Sequence, residues 1–173
     1  MGRTNVVLDD KLVDECQKLT GIETRRALID YALHEVRRHG RQKRLLELKG
    51  SVKWEGDLVA RLQELIESDE DLCLCGVILA ETLQGICSDA EYLRTKEHLD
   101  SLIFFPMHRA TFVSAAELYR ALRKKGVTVR KPVDCMIASL AIEYDLSLLH
   151  NDRDFDHISE HSKLKVLKTK KPR

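Results

Sequence analysis

The sequence predicts an α/β protein in two modules: a small strand–helix–helix head, then a larger domain of short strands and helices around a parallel sheet. Three observations predict it. The first is charge: residues 1–50 hold 11 Lys+Arg against 8 Asp+Glu, residues 51–162 hold 12 against 20, and residues 163–173 hold six bases and no acid. The overall charge of +1 hides this asymmetry, which suits the head to a polyanion and the body to a metal ion or a basic partner. The second is a switch from period-two to helical spacing within the head. The third is the alternation, from about Ala60 onward, of strand-length apolar runs with amphipathic helices, the signature of a parallel sheet with crossover helices.

Composition narrows the class further. At 43% hydrophobic residues over 173 positions the chain can build a core, so wholesale disorder is excluded. No apolar stretch is long enough to span a bilayer, and the opening MGRTNVVLDDKLVDE carries acids where a signal peptide needs its apolar centre. A cytoplasmic protein with no membrane partner is expected. The five cysteines (16, 73, 75, 87 and 135) are odd in number and form no C-x-x-C pair. They read as reduced core thiols rather than zinc ligands or disulfides.

In the head, RTNVVL at 3–8 alternates. Arg3, Asn5 and Val7 point one way and Thr4, Val6 and Leu8 the other, as on a short strand. Asp9 or Asp10 caps a helix whose apolar positions are Leu12, Val13, Cys16 and Leu19. After the turn Thr20-Gly21-Ile22, Thr24 caps a second helix with Ala27, Leu28, Tyr31, Ala32 and Val36 on one face, ending near Gly40. One strand and two helices cannot bury a core, and a lone strand leaves its backbone groups unpaired. A second copy, pairing strand with strand, is the simplest remedy.

This stretch, through RTNVVLDDKLVDECQKLTGIETRRALIDYALHEVRRHG and on to KWEGDL, resembles the ribbon-helix-helix fold, and within it the VapB-type antitoxins, over about residues 1–58. The resemblance implies a dimeric DNA-binding repressor. Arg3, Asn5 and Val7 would face bases, Arg suiting guanine, Asn adenine and Val a thymine methyl. Amides at the start of the second helix, near Thr24, with Arg25 and Arg26 beside them, would hold phosphates. On alternation alone, Arg3 and Asn5 are equally the solvated face of a strand. The basic run at 37–49 is either a solvated helix end or added phosphate contact. Trp54, in GSVKWEGD, either packs on its own domain or, as the resemblance implies, anchors an antitoxin tail across a toxin.

In the body, helices are expected near 60–67, 77–86, 89–102 and 111–125, and from Pro132 onward. Short strands are expected at 72–75, 103–105, 146–149 and 166–167, with HNDRDFD as a loop. Glu81, Asp134 and the pair Asp152/Asp154 each fall just past a strand or in the first turns of a helix, which is the ligand-binding edge of a parallel sheet. Converging carboxylates repel unless a cation neutralises them, and hard oxygen donors favour Mg2+ or Mn2+. Plainer readings coexist: Asp134 suits a helix N-terminus by the dipole alone, and Asp152 and Asp154 suit turns. Glu81 stands out for its apolar neighbours in VILAETLQGI.

ILAETLQGI, LYRALRKKGVTVRKPVDCMIASLAIE and LLHNDRDFDHIS resemble, in order, the PIN domain and within it the VapC toxins, over about residues 59–168. The resemblance implies a magnesium-dependent endoribonuclease acting on RNA. Glu81, Asp134 and Asp152 would be metal carboxylates and Asp154 a supporting catalytic acid. His150 and Asn151 flank the site, and the run Arg123–Lys124–Lys125 suits a solvated helix end better than an RNA clamp. One feature departs from the family: the central first strand, which ends in a fourth metal carboxylate, is missing. Antitoxin-like text runs straight into toxin-like text at VARLQELIE. Residues 52–56, ending at Asp57, are the one local candidate to fill the gap.

The expected organisation is a ribbon-helix-helix module at 1–45, a linker or antitoxin-like tail at 46–58, an incomplete PIN-like domain at 59–168 and a basic tail at 169–173. The expected function is a toxin–antitoxin fusion: a DNA-binding regulator, dimeric or larger, joined to an impaired ribonuclease. A separate complete toxin is a further expected partner. The alternative is an active Mg2+-dependent endoribonuclease restrained in cis.

Overall fold

In the computed structural model, residues 5–42, 45, 58–68 and 70–167 are described. The chain divides into two compact units, 1–40 and 41–173.

In the first unit, α1 (Asp10–Thr20) begins at Asp9, whose Oδ1 accepts from the backbone N–H of Lys11 at 2.9 Å and of Leu12 at 3.4 Å. It ends at Gly21, which takes the left-handed conformation with φ 71° and returns its N–H to the Gln17 carbonyl. Helix α2 (Arg25–Gln42) follows, capped by Thr24 Oγ1 accepting from Ala27 N–H at 3.2 Å. Val13 and Leu28 are buried, while Val6, Leu12, Leu19, Leu33 and Val36 stay exposed and Val7 is fully so. The expected strand is not formed at 5–8. A strand needs a partner, and a single chain supplies none here.

The second unit is built from α3 (Leu58–Glu67), β1 (Cys73–Cys75), α4 (Gly76–Gln84), α5 (Asp89–Leu99), β2 (Ile103–Phe105), α6 (Arg109–Lys124), α7 (Pro132–Glu143), β3 (Ser147–Leu149), α8 (Arg153–His161) and β4 (Lys165–Leu167). Pro132 opens α7, where its fixed φ suits the first turn and its missing N–H costs nothing. Helices α6 and α7 pack through Ala115, Leu122, Ile137, Ala138 and Ala141, all buried in one cluster with Phe155, Ile158 and Leu164. Thr111 Oγ1 donates to Glu143 Oε2 at 2.7 Å, tying the start of α6 to the end of α7.

The strands are all parallel, but among the described residues they form two separate pairs. Strand β1 pairs with β2, with Cys73 opposite Ile103, and β3 pairs with β4, with Ser147 opposite Lys165. One continuous sheet would need a further strand between the pairs. Residues 52–57, the candidate for the first strand missing from the sequence, lie outside the described residues.

Two expectations need correcting. The segment HNDRDFD is not all loop: α8 starts at Arg153, with Asp152 as its cap and Asp154 and Asp156 in its first turn. All five cysteines are free, yet only Cys75 and Cys135 are buried, and Cys87 is exposed. Cys87 follows α4 in a surface turn, so it is not a core thiol.

Candidate metal centre and nucleic-acid face

Of the four candidate acids, only Asp152 and Asp154 are placed by a strand–helix junction; the other two are carried by helices α4 and α7. Glu81 lies on α4 after β1, Asp134 in the first turn of α7, and Asp152 and Asp154 at the junction of β3 with α8. Asp134 is 5% exposed, as buried as Asp154, but its Oδ2 has no hydrogen-bond partner. Its carboxyl is pushed from 3.8 up to about 6, first by burial and then by the negative charges of Asp152 and Asp154, with Glu81 adding to them and Lys131 opposing. Asp134 therefore feels the charge of the three other acids. Glu81 itself is exposed rather than enclosed by its apolar neighbours; those neighbours belong to other faces of α4.

Arg130 binds two of these acids. Its Nη2 donates to Asp152 Oδ1 at 2.8 Å, and its Nε lies 3.2 Å from both oxygens of Asp154. Its backbone N–H donates to Asp154 Oδ2 at 2.9 Å. Asp154 is buried, so this buried acid is spent on holding the loop that leads into α7. Asp152 Oδ1 also accepts from the Asp154 backbone at 3.0 Å as the cap of α8. No sequence signal singles out Arg130 beyond its standing with Lys131 in a basic pair just ahead of Asp134.

His150 is buried; its Nδ1 donates to the Asp152 carbonyl at 2.9 Å, and its ring stacks at a tilt on Phe155, 5.3 Å between centroids. That bond fixes the ring, and Nε2, 3.9 Å from Asp156 Oδ1, has no hydrogen-bond partner. Beside it opens a cavity of about 560 Å³, lined among others by Leu58, Ile78, Arg130, Ile137, His150 and Asp152. Burial and the charges of Asp134 and Asp154 push the neighbouring Cys135 thiol up to about 11, so it is not a nucleophile at neutral pH. Arg123 and Lys124 close the last turn of α6, Arg123 lying over the Tyr119 ring 6.0 Å from its centroid. Both suit a helix end, where bases complement the dipole.

The donor set fits a hard divalent cation. It offers carboxylate oxygens, one of them buried without a partner, and a local excess of negative charge. Among the described residues, however, no three His, Cys, Asp or Glu side chains are grouped closely enough to hold one.

On the first unit, the start of α2 presents Thr24 as its cap, with Arg25 and Arg26 both exposed. Arg25 pairs with Asp10 at 2.7 Å across an exposed surface. Asn5 and Val7 are exposed. Arg3 and Trp54 lie outside the described residues.

Comparison with known proteins accounts for both units. Residues 2–48 match the family described as the bacterial antitoxin of type II toxin–antitoxin systems, VapB, and residues 55–161 match the PIN domain. The chain is 34% identical over 103 residues to VapC ribonuclease Mb1587 of Mycobacterium bovis, an alignment covering 59% of this chain and 77% of that protein. The same figures hold for ribonuclease VapC11 of Mycobacterium tuberculosis. Among solved structures, VapBC2 from Rickettsia felis bound to a DNA fragment from their promoter superposes with a TM-score of 0.51 at 20% identity, covering 75% of this chain and 93% of that one. That likeness is one of fold. With its PIN match spanning 55–161 and a VapB antitoxin region ahead of it at 2–48, the chain belongs to the PIN-domain family.

Proposed function

We propose that this protein is a cytoplasmic toxin–antitoxin fusion. Its head is a dimeric ribbon-helix-helix module that binds operator DNA, and its PIN domain is a divalent-metal-dependent endoribonuclease of impaired turnover. The observation that carries the nuclease half is Asp134, buried with an unpartnered Oδ2 in the field of Glu81, Asp152 and Asp154. Bound Mg2+ or Mn2+ would supply an activated water and neutralise charge on a phosphodiester. Glu81, Asp134 and Asp152 are the residues to hold it, and Asp154 supports them through Arg130. The relatives named ribonucleases agree with that chemistry.

Impairment is supported by the two strand pairs, which share no strand among the described residues. Three carboxylates can retain Mg2+ weakly, because this ion keeps several waters. Aligning water with a phosphate tolerates far less displacement. Losing the fourth carboxylate therefore costs turnover more than affinity.

For the head, support comes from the uncovered side chains Val6, Val7, Leu12, Leu19, Leu33 and Val36. A second copy covers such a face and gives residues 3–8 a strand partner. Backbone amides and Arg25 and Arg26 at the start of α2 then suit phosphates, with Arg3, Asn5 and Val7 toward bases. The VapBC neighbour solved with promoter DNA is consistent with this use. Trp54 is proposed as the contact to a separate, complete toxin.

The test is a metal titration with RNA cleavage measured in parallel. We expect millimolar Mg2+ binding, abolished by Glu81→Gln or Asp134→Asn, with little cleavage, and recovery of cleavage when an Asp-bearing strand is grafted before Val59. Robust cleavage by the unaltered chain, lost on Asp57→Asn, would overturn the impairment and favour an active nuclease restrained in cis.

A further inference from the structure

This inference rests on the metal-binding reading just proposed and concerns the cation already present at the acid edge. Arg130 grips Asp152 and Asp154 together, while Asp134, 5% exposed, keeps Oδ2 without a partner. The two halves of the grip differ. Toward Asp154 it is buried and doubled: that side chain is 6% exposed and takes both the guanidinium Nε and the Arg130 backbone N–H. Toward Asp152 it is a single 2.8 Å contact from a guanidinium 67% exposed. An exposed single ion pair is weak and yields readily to a competitor. Arginine does not lose its charge at any ordinary pH, so the pair is not undone by deprotonation of Arg130.

We propose that Arg130 is an internal counter-cation that neutralises Asp152 and sets its metal affinity, because a divalent ion taking this carboxylate, even through the Oδ2 that Arg130 leaves open, meets the guanidinium charge held at Oδ1. Through the Asp154 half, Arg130 stays attached to the loop ahead of α7 whether or not the Asp152 half releases. It is a positioning and competing residue, acting through Asp152.

Mn2+ titrated into the full-length chain, with the free ion followed by electron paramagnetic resonance, tests this. Arg130→Gln should bind Mn2+ about tenfold more tightly than the unaltered chain, the scale of removing one neighbouring positive charge from a dication under water-like screening. The same variant should melt at lower temperature without metal, since buried Asp154 loses its guanidinium partner. A merely structural Arg130 would give the melting loss with Mn2+ affinity unchanged or weakened, which overturns the proposal. Arg130→Lys keeps the charge without the fork and should tighten Mn2+ about two- to threefold; it decides the matter by itself if Arg130→Gln does not fold, equal or weaker affinity counting against us. Asp134→Asn separates the two readings. If the unaltered chain binds Mn2+ and Asp134→Asn does not, an Arg130→Gln chain no tighter than the unaltered one refutes the role of Arg130 alone. If none of these chains binds Mn2+, both readings fall.

Discussion

Replacing Asp134 by Asn should make the metal-free protein more stable at pH 8 and bring little gain at pH 4. The carboxyl is raised from 3.8 to about 6, so the folded state holds its proton over a range where the unfolded chain has already released it. For a group shifted in this direction, the stabilising contribution is complete below about pH 4 and is lost as pH climbs through about 6. The shift corresponds to roughly 3 kcal/mol. For a unit of this size that is roughly a 10 °C difference in melting temperature. Asn has the same shape and cannot ionise, so it removes the charged-state penalty imposed by burial and by Asp152, Asp154 and Glu81. Any cost of burying the amide is independent of pH and cancels when the two chains are compared across pH. The assay is urea unfolding followed by circular dichroism from pH 4 to pH 8 in the presence of EDTA. The stability difference, Asp134→Asn minus unaltered, should grow by roughly 3 kcal/mol over that range. Parallel pH profiles for the two chains would refute the reasoning, because they would mean that Asp134 is solvated and feels no neighbouring acids.

Residues 1–45 should dimerise and bind DNA with a steep salt dependence in fluorescence anisotropy; a module monomeric at micromolar concentration that ignores DNA sinks this reading. In the same assay Arg3→Ala should relax preference at one base pair at a cost of roughly 1–3 kcal/mol, whereas Arg26→Ala should weaken all sequences alike. Thr24→Ala should destabilise the head by about 1 kcal/mol and Thr24→Ser much less, since only a hydroxyl at 3.2 Å from the Ala27 N–H replaces the cap; equal losses in thermal melts would show that the cap is idle. If the antitoxin-like tail docks on a toxin surface, Trp54 emission should be blue-shifted and poorly quenched by acrylamide, and free quenching would speak against docking.

Much of the fold was legible because local signals and packing agree. Pro132 followed by Asp134 announced α7, the acids at 9 and 10 announced α1, and the apolar triplets at 73–75 and 103–105 fell where β1 and β2 form. Helix α8 was missed although its signals are present: a capping aspartate at 152, acids in the first turn, and buried Phe155 and Ile158 three residues apart. The turn-forming character of Asn151 and Asp152 masked them. The head strand was read from alternation, but strand formation is a property of a pair, and a single chain cannot express it. At the acid edge the sequence named the carboxylates but not their states. That Asp134 is buried, Glu81 exposed and Asp154 committed to Arg130 depends on contacts between residues distant along the chain, which spacing does not encode.

The division of the strands into two pairs has a consequence for how this domain comes apart. A continuous sheet melts as one because each inner strand is held from both sides, whereas among the described residues the Cys73–Ile103 and Ser147–Lys165 pairings share no strand and are joined through the apolar core that holds Cys75, Phe105, Leu148 and Val166. Each pair carries its own crossover helices, so each is a candidate cooperative unit with its own opening free energy. Amide hydrogen exchange should then show two protection levels, one shared by β1 and β2 and another by β3 and β4, where a strand hydrogen-bonded to both pairs would merge them into one.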